Sequence, residues 1–256
     1  MAGMMKLHWS PRSPYVRKVM IVAHELGLSE RLEIVRTVVG GTKPHLELMR
    51  ENPLGKIPTL VLEDGTIIYD SPVVSEYLDT LHDGPKLFPD WPERLTALRR
   101  LALGDGMLDI ALAWLGERFR PAEKQSAPHM ALWEGKLRCC VDALEREADA
   151  LATGRFGIGH IAIGNALSYL DFRFGELQWR EGHLRLAAWH ATFDARPSVV
   201  ANLPVDDRRS LPPATHCHCE ARSDEAIPCQ SGTAACATSG HVRNFTEIAS
   251  SLRSSQ

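Results

Sequence analysis

Short apolar runs alternate with helical stripes over the first eighty residues. Met5 to Trp9 is a compact apolar run of strand length. Ser13-Pro14 then opens a helix, because serine is a favoured N-cap and proline suits the first helical position. Val16, Val19, Met20 and Ala23 recur at helical spacing, and Gly27 marks the stop. Leu32 to Val38 is rich in β-branched residues and reads as a second strand, broken by Gly40-Gly41. Lys43 to Arg50 follows as a short helix. Thr59 to Glu63 and Thr66 to Tyr69 flank Asp64-Gly65, a hairpin signal, and Ser71-Pro72 opens a helix running to about His82. The predicted order is β-α-β-α-β-β-α.

Leu81 to Pro92 carries the breakers Gly84-Pro85 and Pro89 and reads as a linker. Beyond it the strand signal ends. Arg94 to Arg118 forms a long helix with Leu95, Leu98, Leu101, Leu108, Leu112 and Leu115 on one stripe. Ala131 to Ala152, Ile161 to Phe174 and Leu184 to Phe193 supply three more. The pattern predicts an α/β domain over 4–83, which resembles a thioredoxin-like domain, and an all-α helical bundle over 90–203. In 207–256 the amphipathic period fades and Ser, Cys, Thr and Ala dominate, so a disordered tail is expected.

Composition narrows the function classes. The 256 residues carry a formal charge of −3, which gives no electrostatic case for nucleic acid or anionic membrane. No apolar run approaches a membrane span, and the first residues lack the apolar stretch of a secretory signal. Of six cysteines, Cys139 and Cys140 are adjacent in a helical pattern and four crowd the tail, which is no disulfide framework. A cytoplasmic protein is expected.

Three segments could carry chemistry. Ile57-Pro58 immediately precedes a strand; with a cis bond there, the Ile57 backbone turns outward and offers N–H and C=O to an extended peptide, whereas a trans bond makes a plain strand edge. Asp70-Ser71-Pro72 places a helix N-terminus beside it, suited either to a carboxylate or to simple capping. The third is Ser10-Pro11-Arg12-Ser13-Pro14-Tyr15-Val16-Arg17-Lys18-Val19, between the first strand and first helix. Ser13 and Val16 stand where a thioredoxin-like redox protein has its two cysteines, so disulfide exchange is unavailable, but a serine hydroxyl can donate to a thiolate.

This layout, with Asn-Pro-Leu-Gly-Lys-Ile-Pro-Thr-Leu, Tyr-Asp-Ser-Pro, the segment Ala166 to Arg173 and Ala195-Arg196-Pro197, resembles the bacterial cytosolic glutathione S-transferases over roughly Met5 to Pro204. The resemblance implies glutathione as co-substrate and no metal. Ile57 and Pro58 would meet its cysteine backbone, and Asp70 and Ser71 its γ-glutamyl end. Ser13, with Ser10 as alternate, would donate to the sulfur, and the thiolate would attack a small electrophile held against the helical domain. It also implies a homodimer. Asp105 and Asp109 interrupt the stripe of the long helix four residues apart, and could face the cleft, a dimer interface or solvent. Trp114 and Arg118 would line the same cleft. The alternative is a non-catalytic interaction module on the same fold.

Two departures stand out. Relatives commonly start the Ile161 helix with a Ser/Thr-x-x-Asp capping box; the matching positions here are Gly157 and His160, and His160 reads as structural. The tail is the other departure. His216-Cys217-His218-Cys219 alternates strictly with no second pair at finger spacing, so no metal site is expected there. The run Cys219 to Ile227 resembles translated repetitive DNA, which suggests a lost stop signal.

Overall fold

The structure is a computed structural model and describes residues 3–40 and 43–207. The expected disordered tail and its His-Cys run therefore lie outside the described residues.

Four strands form one sheet in the order β2-β1-β3-β4, where β1 is Met5–Trp9, β2 is Leu32–Arg36, β3 is Thr59–Val61 and β4 is Ile67–Ile68. β1 pairs parallel with β2, Met5 opposite Leu32 through Trp9 opposite Arg36, and antiparallel with β3. β3 and β4 are antiparallel neighbours around Asp64-Gly65, where Gly65 takes φ 83°. The helices α1 (Pro14–Glu25) and α3 (Ser71–Thr80) pack together, joined by the short α2 (Leu46–Glu51) elsewhere on the sheet. Leu7, Val19, Ile21, Val22, Leu60, Val74 and Leu78 make the core of this α/β domain, all fully buried.

The helical domain follows as α4 (Glu93–Arg118), α5 (Ala127–Thr153), α6 (Ile158–Arg173), α7 (Leu184–Asp194) and the single turn α8 (Pro197–Val200). Every residue of α6 from Ile158 to Leu170 is buried, so the helix is apolar nearly all round and forms the axis of the bundle. α4 lies so close to it that a Cβ on Gly104 would stand 2.6 Å from the Ala162 carbonyl. A second core gathers Met107, Leu108, Ala111, Leu137, Leu144, Ile163, Leu167 and Phe174 between α4, α5 and α6.

The expected elements are present, with boundaries shifted by a few residues. β2 ends at Arg36 rather than Val38, and α2 begins at Leu46 rather than Lys43. The stripe on α4 is incomplete: Leu101 and Leu108 are buried, whereas Leu95 is 63% exposed. The turn α8 went unread because four residues show no period. Among the described residues no helix is long and apolar enough to cross a membrane.

Candidate functional site

Two of the predicted segments meet where Ile57 packs with Val16 of α1, and Asp70 in the third stands near enough to Lys18 of α1 to act on its charge. At the β1–α1 turn the Ser10 carbonyl accepts the Ser13 N–H at 3.2 Å, enclosing Pro11 and Arg12 in a tight turn. Ser13 is the N-cap of α1, and its Oγ accepts the Val16 N–H at a long 3.3 Å. A hydroxyl that accepts in this way keeps its own proton free to donate. Ser13 is half-buried, while Ser10 is 6% exposed, so Ser13 is the more accessible hydroxyl.

The Ile57-Pro58 bond is cis. The Ile57 side chain is buried with Val16 and Leu48 in a small apolar cluster that ties the turn to α1 and α2. Asn52 braces the loop before it, donating to the Lys56 carbonyl at 3.1 Å and to Thr59 Oγ1 at 2.9 Å. Asp70 occupies the N-cap position of α3, yet its carboxylate makes no capping bond and the residue is exposed. Simple capping therefore does not account for Asp70. Ser71, the first residue of α3, is 2% exposed.

Asp105 and Asp109 both face α1, which rules out a solvated face for Asp105. The Lys18 Nζ, fully buried, contacts the two Asp105 oxygens at 2.6 and 2.7 Å. Burial lowers the Lys18 pKa against the pull of Asp105, and burial raises that of Asp105 against the pull of Lys18. The Tyr15 hydroxyl donates to Asp109, and burial together with that carboxylate pushes its pKa far up, so the phenol stays protonated. Trp114 is 7% exposed in the helical core and stacks on Phe174 at 4.6 Å, with Arg118 over both rings; Tyr15 packs against the same cluster.

Sequence reasoning missed Tyr15, Lys18 and Asn165. Asn165 donates to the Pro14 carbonyl at 2.9 Å and accepts from Arg17 at 3.2 Å, so the central helix grips the first turn of α1. A lone amide in the apolar run Ile161 to Leu167 was the available signal.

His160 lies away from these segments. It contacts the Phe156 and Trp189 rings and lines a cavity of about 520 Å³ bounded by Leu87, Arg100 and Gly157, which touches none of the predicted site residues. One group of potential metal ligands, Asp171, His190 and Asp194, comes together on α6 and α7. Arg180 already bonds Asp171 at 2.5 and 2.8 Å and His190 at 3.1 Å, so a guanidinium stands where a cation would need room.

Comparison with known proteins places the two domains. The model of the glutathione S-transferase N-terminal domain matches residues 12–81, and that of the C-terminal domain matches residues 127–192. The uncharacterized GST-like protein YibF of Escherichia coli K12 is 34% identical over 174 residues, 66% of this chain and 83% of its own. A glutathione transferase family member from Pseudomonas fluorescens Pf-5, solved with bound glutathione, is 38% identical with a TM-score of 0.76, covering 79% of this chain and 100% of that one. A structure from the same organism with bound S-(propanoic acid)-glutathione is 38% identical with a TM-score of 0.72, covering 78% and 100%. With both of its domains matched in order, the chain belongs to the glutathione S-transferase family.

Proposed function

We propose that this protein binds glutathione along the Ile57-Pro58 and Asp70-Ser71 edge and transfers it to a small electrophile, with Ser13 stabilising the thiolate. The observation that carries the assignment is the Ser13 hydroxyl at the N-terminus of α1, accepting only a long bond from Val16 and free to donate. Asp70 receives the γ-glutamyl ammonium, since its carboxylate is exposed and makes no capping bond. Ser71 N–H, at the start of the same helix, suits the neighbouring carboxylate.

The magnitudes suffice. A free thiol with a pKa of about 8.5 is only about 3% ionised at pH 7, and half-ionisation needs a shift of about 1.5 units, or roughly 2 kcal/mol. One hydrogen bond to a charged group supplies about 1.5–3 kcal/mol, and a helix N-terminus adds about 0.3–1 kcal/mol. One serine and the α1 dipole together meet that requirement. No redox step is assigned, because neither Ser13 nor Val16 is a cysteine.

The carboxylate-bearing conjugate held by the Pseudomonas relative extends the reading to electrophiles with an acid group. A homodimer and a cytoplasmic location accompany the family assignment on our reading, as does the division into a glutathione-binding domain over 4–83 and a helical domain over 90–203.

Retention on immobilised glutathione followed by conjugation of an aromatic halide tests the proposal. S13A should lower kcat/KM roughly 10- to 100-fold while glutathione affinity changes little. Unchanged turnover in S13A with loss in S10A would move the role to Ser10. Neither retention nor turnover in the native chain would favour the interaction module.

A further inference from the structure

The segment after α8 runs back over the turn that carries Ser10 and Ser13. Arg17 Nε donates to the Asn202 carbonyl at 2.7 Å, and the Val205 N–H donates to the Pro11 carbonyl at 3.2 Å. Two carboxylates follow Val205 in this segment. Asp206 pairs with Arg173 at 2.5 Å. Asp207 sits between two guanidiniums, with Arg12 Nε at 2.9 Å and Arg36 on its other oxygen.

Both arginines belong to the rim of the thiol site. Arg12 lies inside the Ser10–Ser13 turn. Arg36 closes β2, opposite Trp9, the residue before Ser10. Arg36 is 41% exposed and Arg12 19%, so the pair borders solvent while facing one carboxylate. Two guanidiniums converging on one point repel each other unless an anion lies between them, and their forked donors match a carboxylate.

We propose that Arg12 and Arg36 form the carboxylate-reading half of the electrophile site, and that Asp207 occupies it as an internal substitute for the substrate's acid group. This rests on the transferase reading above. It names the substrate class as α,β-unsaturated carboxylic acids, of which acrylate is the simplest. The thiolate sulfur bonds to the β-carbon, the carbon–carbon π bond breaks, and its electron pair passes to the α-carbon. That carbon takes up a proton, replacing the one the thiol released to solvent, so the adduct forms with no other reactant. The paired arginines hold the carboxylate throughout and attract the negative charge that grows beside it. Asp207 competes with the acid for the same two cations, which makes the C-terminal segment a brake on acidic substrates.

Calorimetric titration of the full chain with three probes tests this: glutathione, S-(2-carboxyethyl)glutathione and its uncharged counterpart S-propylglutathione. The carboxyethyl adduct should bind about tenfold more tightly than the propyl adduct, the value of one charge-assisted contact. R36Q should remove that preference, and D207N should raise it severalfold while leaving glutathione affinity as it was. Equal affinities for the two adducts in the native chain would overturn the proposal, as would a preference that survives in both R36Q and R12Q. Weaker carboxyethyl binding in D207N would overturn the competition. Failure of glutathione itself to bind would instead sink the transferase reading. The same variants give a kinetic check: the ratio of kcat/KM for acrylate over acrylamide should fall about tenfold in R36Q and rise in D207N.

Discussion

Lys18 is the residue on which the seam between α1 and α4 turns. Its side chain is wholly buried, and its only charged hydrogen-bond partner among the described residues is Asp105, itself 18% exposed. Breaking a buried pair by removing one partner strands the other charge at a cost of about 3–5 kcal/mol, whereas removing both is far milder. K18M and D105N should therefore each destabilise the protein, K18M by about 3 kcal/mol or more, and the double variant should be more stable than K18M. Urea unfolding of the three variants reads this directly; additive losses would show that the two side chains do not act as a pair. At this scale the sequence was only partly legible. The spacing of Asp105 and Asp109 marked two carboxylates on one face of a helix. It could not show that Tyr15 and Lys18, three residues apart on α1, rise to meet them. Ion pairs between residues 87 apart come from domain packing and have no local signature. Ser13 was legible as the α1 N-cap because serine followed by proline is a local start signal. The stacking of Trp114 on Phe174 was not legible, because apolar periodicity says that a helix has a buried face and not which neighbour covers it.

The start of α6 shows what an element's ends can and cannot announce. Gly157 is the N-cap, as the pattern predicts, and a serine there would appear to be a gain. The structure gives the reason for glycine: a Cβ at this position would stand 2.6 Å from the Leu87 carbonyl, which also accepts the Ile158 N–H at 2.9 Å. This backbone bond ties the linker to the bundle, together with the Leu87 and Phe88 side chains packed in one apolar cluster with Ile158 and Ile161 and the Arg155 bond to the Lys86 carbonyl. Three residues on, His160 replaces the carboxylate of a capping box and is 6% exposed. Burial, with Arg100 and Arg196 adding repulsion, pushes its pKa down to about 4, against a smaller pull from the Leu151 carbonyl. A histidine so depressed folds neutral, while the unfolded chain takes up a proton near pH 6.5. Its contribution to stability is therefore complete above about pH 6.5 and is lost as the pH falls toward 4. Between pH 7 and 4.5 the native protein should lose roughly 2–3 kcal/mol more than H160N, measured by denaturant unfolding at each pH. Parallel pH profiles for the two proteins would show that His160 does not titrate in this way.

On the scale of the whole molecule, order along the chain was readable because each domain uses one period: two residues for the strands, about 3.6 for the helices. What joins the domains was not readable, since it is built by residues far apart in the sequence: Leu101, Ile158, Ile161 and Phe193 of the helical domain share one apolar cluster with Val19, Val22 and Leu78 of the α/β domain, and polar contacts add to it. Arg196 pairs with Glu25 through two bonds of 2.9 and 2.7 Å, Ser198 adds a third, and Asn165 reaches the Pro14 carbonyl. Asp206 and Asp207 add contacts with Arg173, Arg12 and Arg36. Among the described residues, Val199 is the last buried member of either apolar core. A chain ending at Asp207 should accordingly keep its fold: its melting temperature should stay within a few degrees of the full chain's, since an unchanged core leaves less than about 1 kcal/mol to lose. It should still be retained on immobilised glutathione. A chain ending at Val205 tests the boundary from the other side. It lacks both carboxylates, so Arg12, Arg36 and Arg173 lose the counter-ions Asp207 and Asp206, while the Val205 N–H bond to the Pro11 carbonyl and the Arg17 bond to the Asn202 carbonyl remain. This shorter chain should fold, bind glutathione, and bind the carboxyethyl adduct more tightly than the chain ending at Asp207 does. Insolubility of the Asp207 chain would mean that residues beyond 207 contribute to the core. Equal adduct affinities in the two truncated chains would mean that the acidic pair leaves the two arginines unaffected.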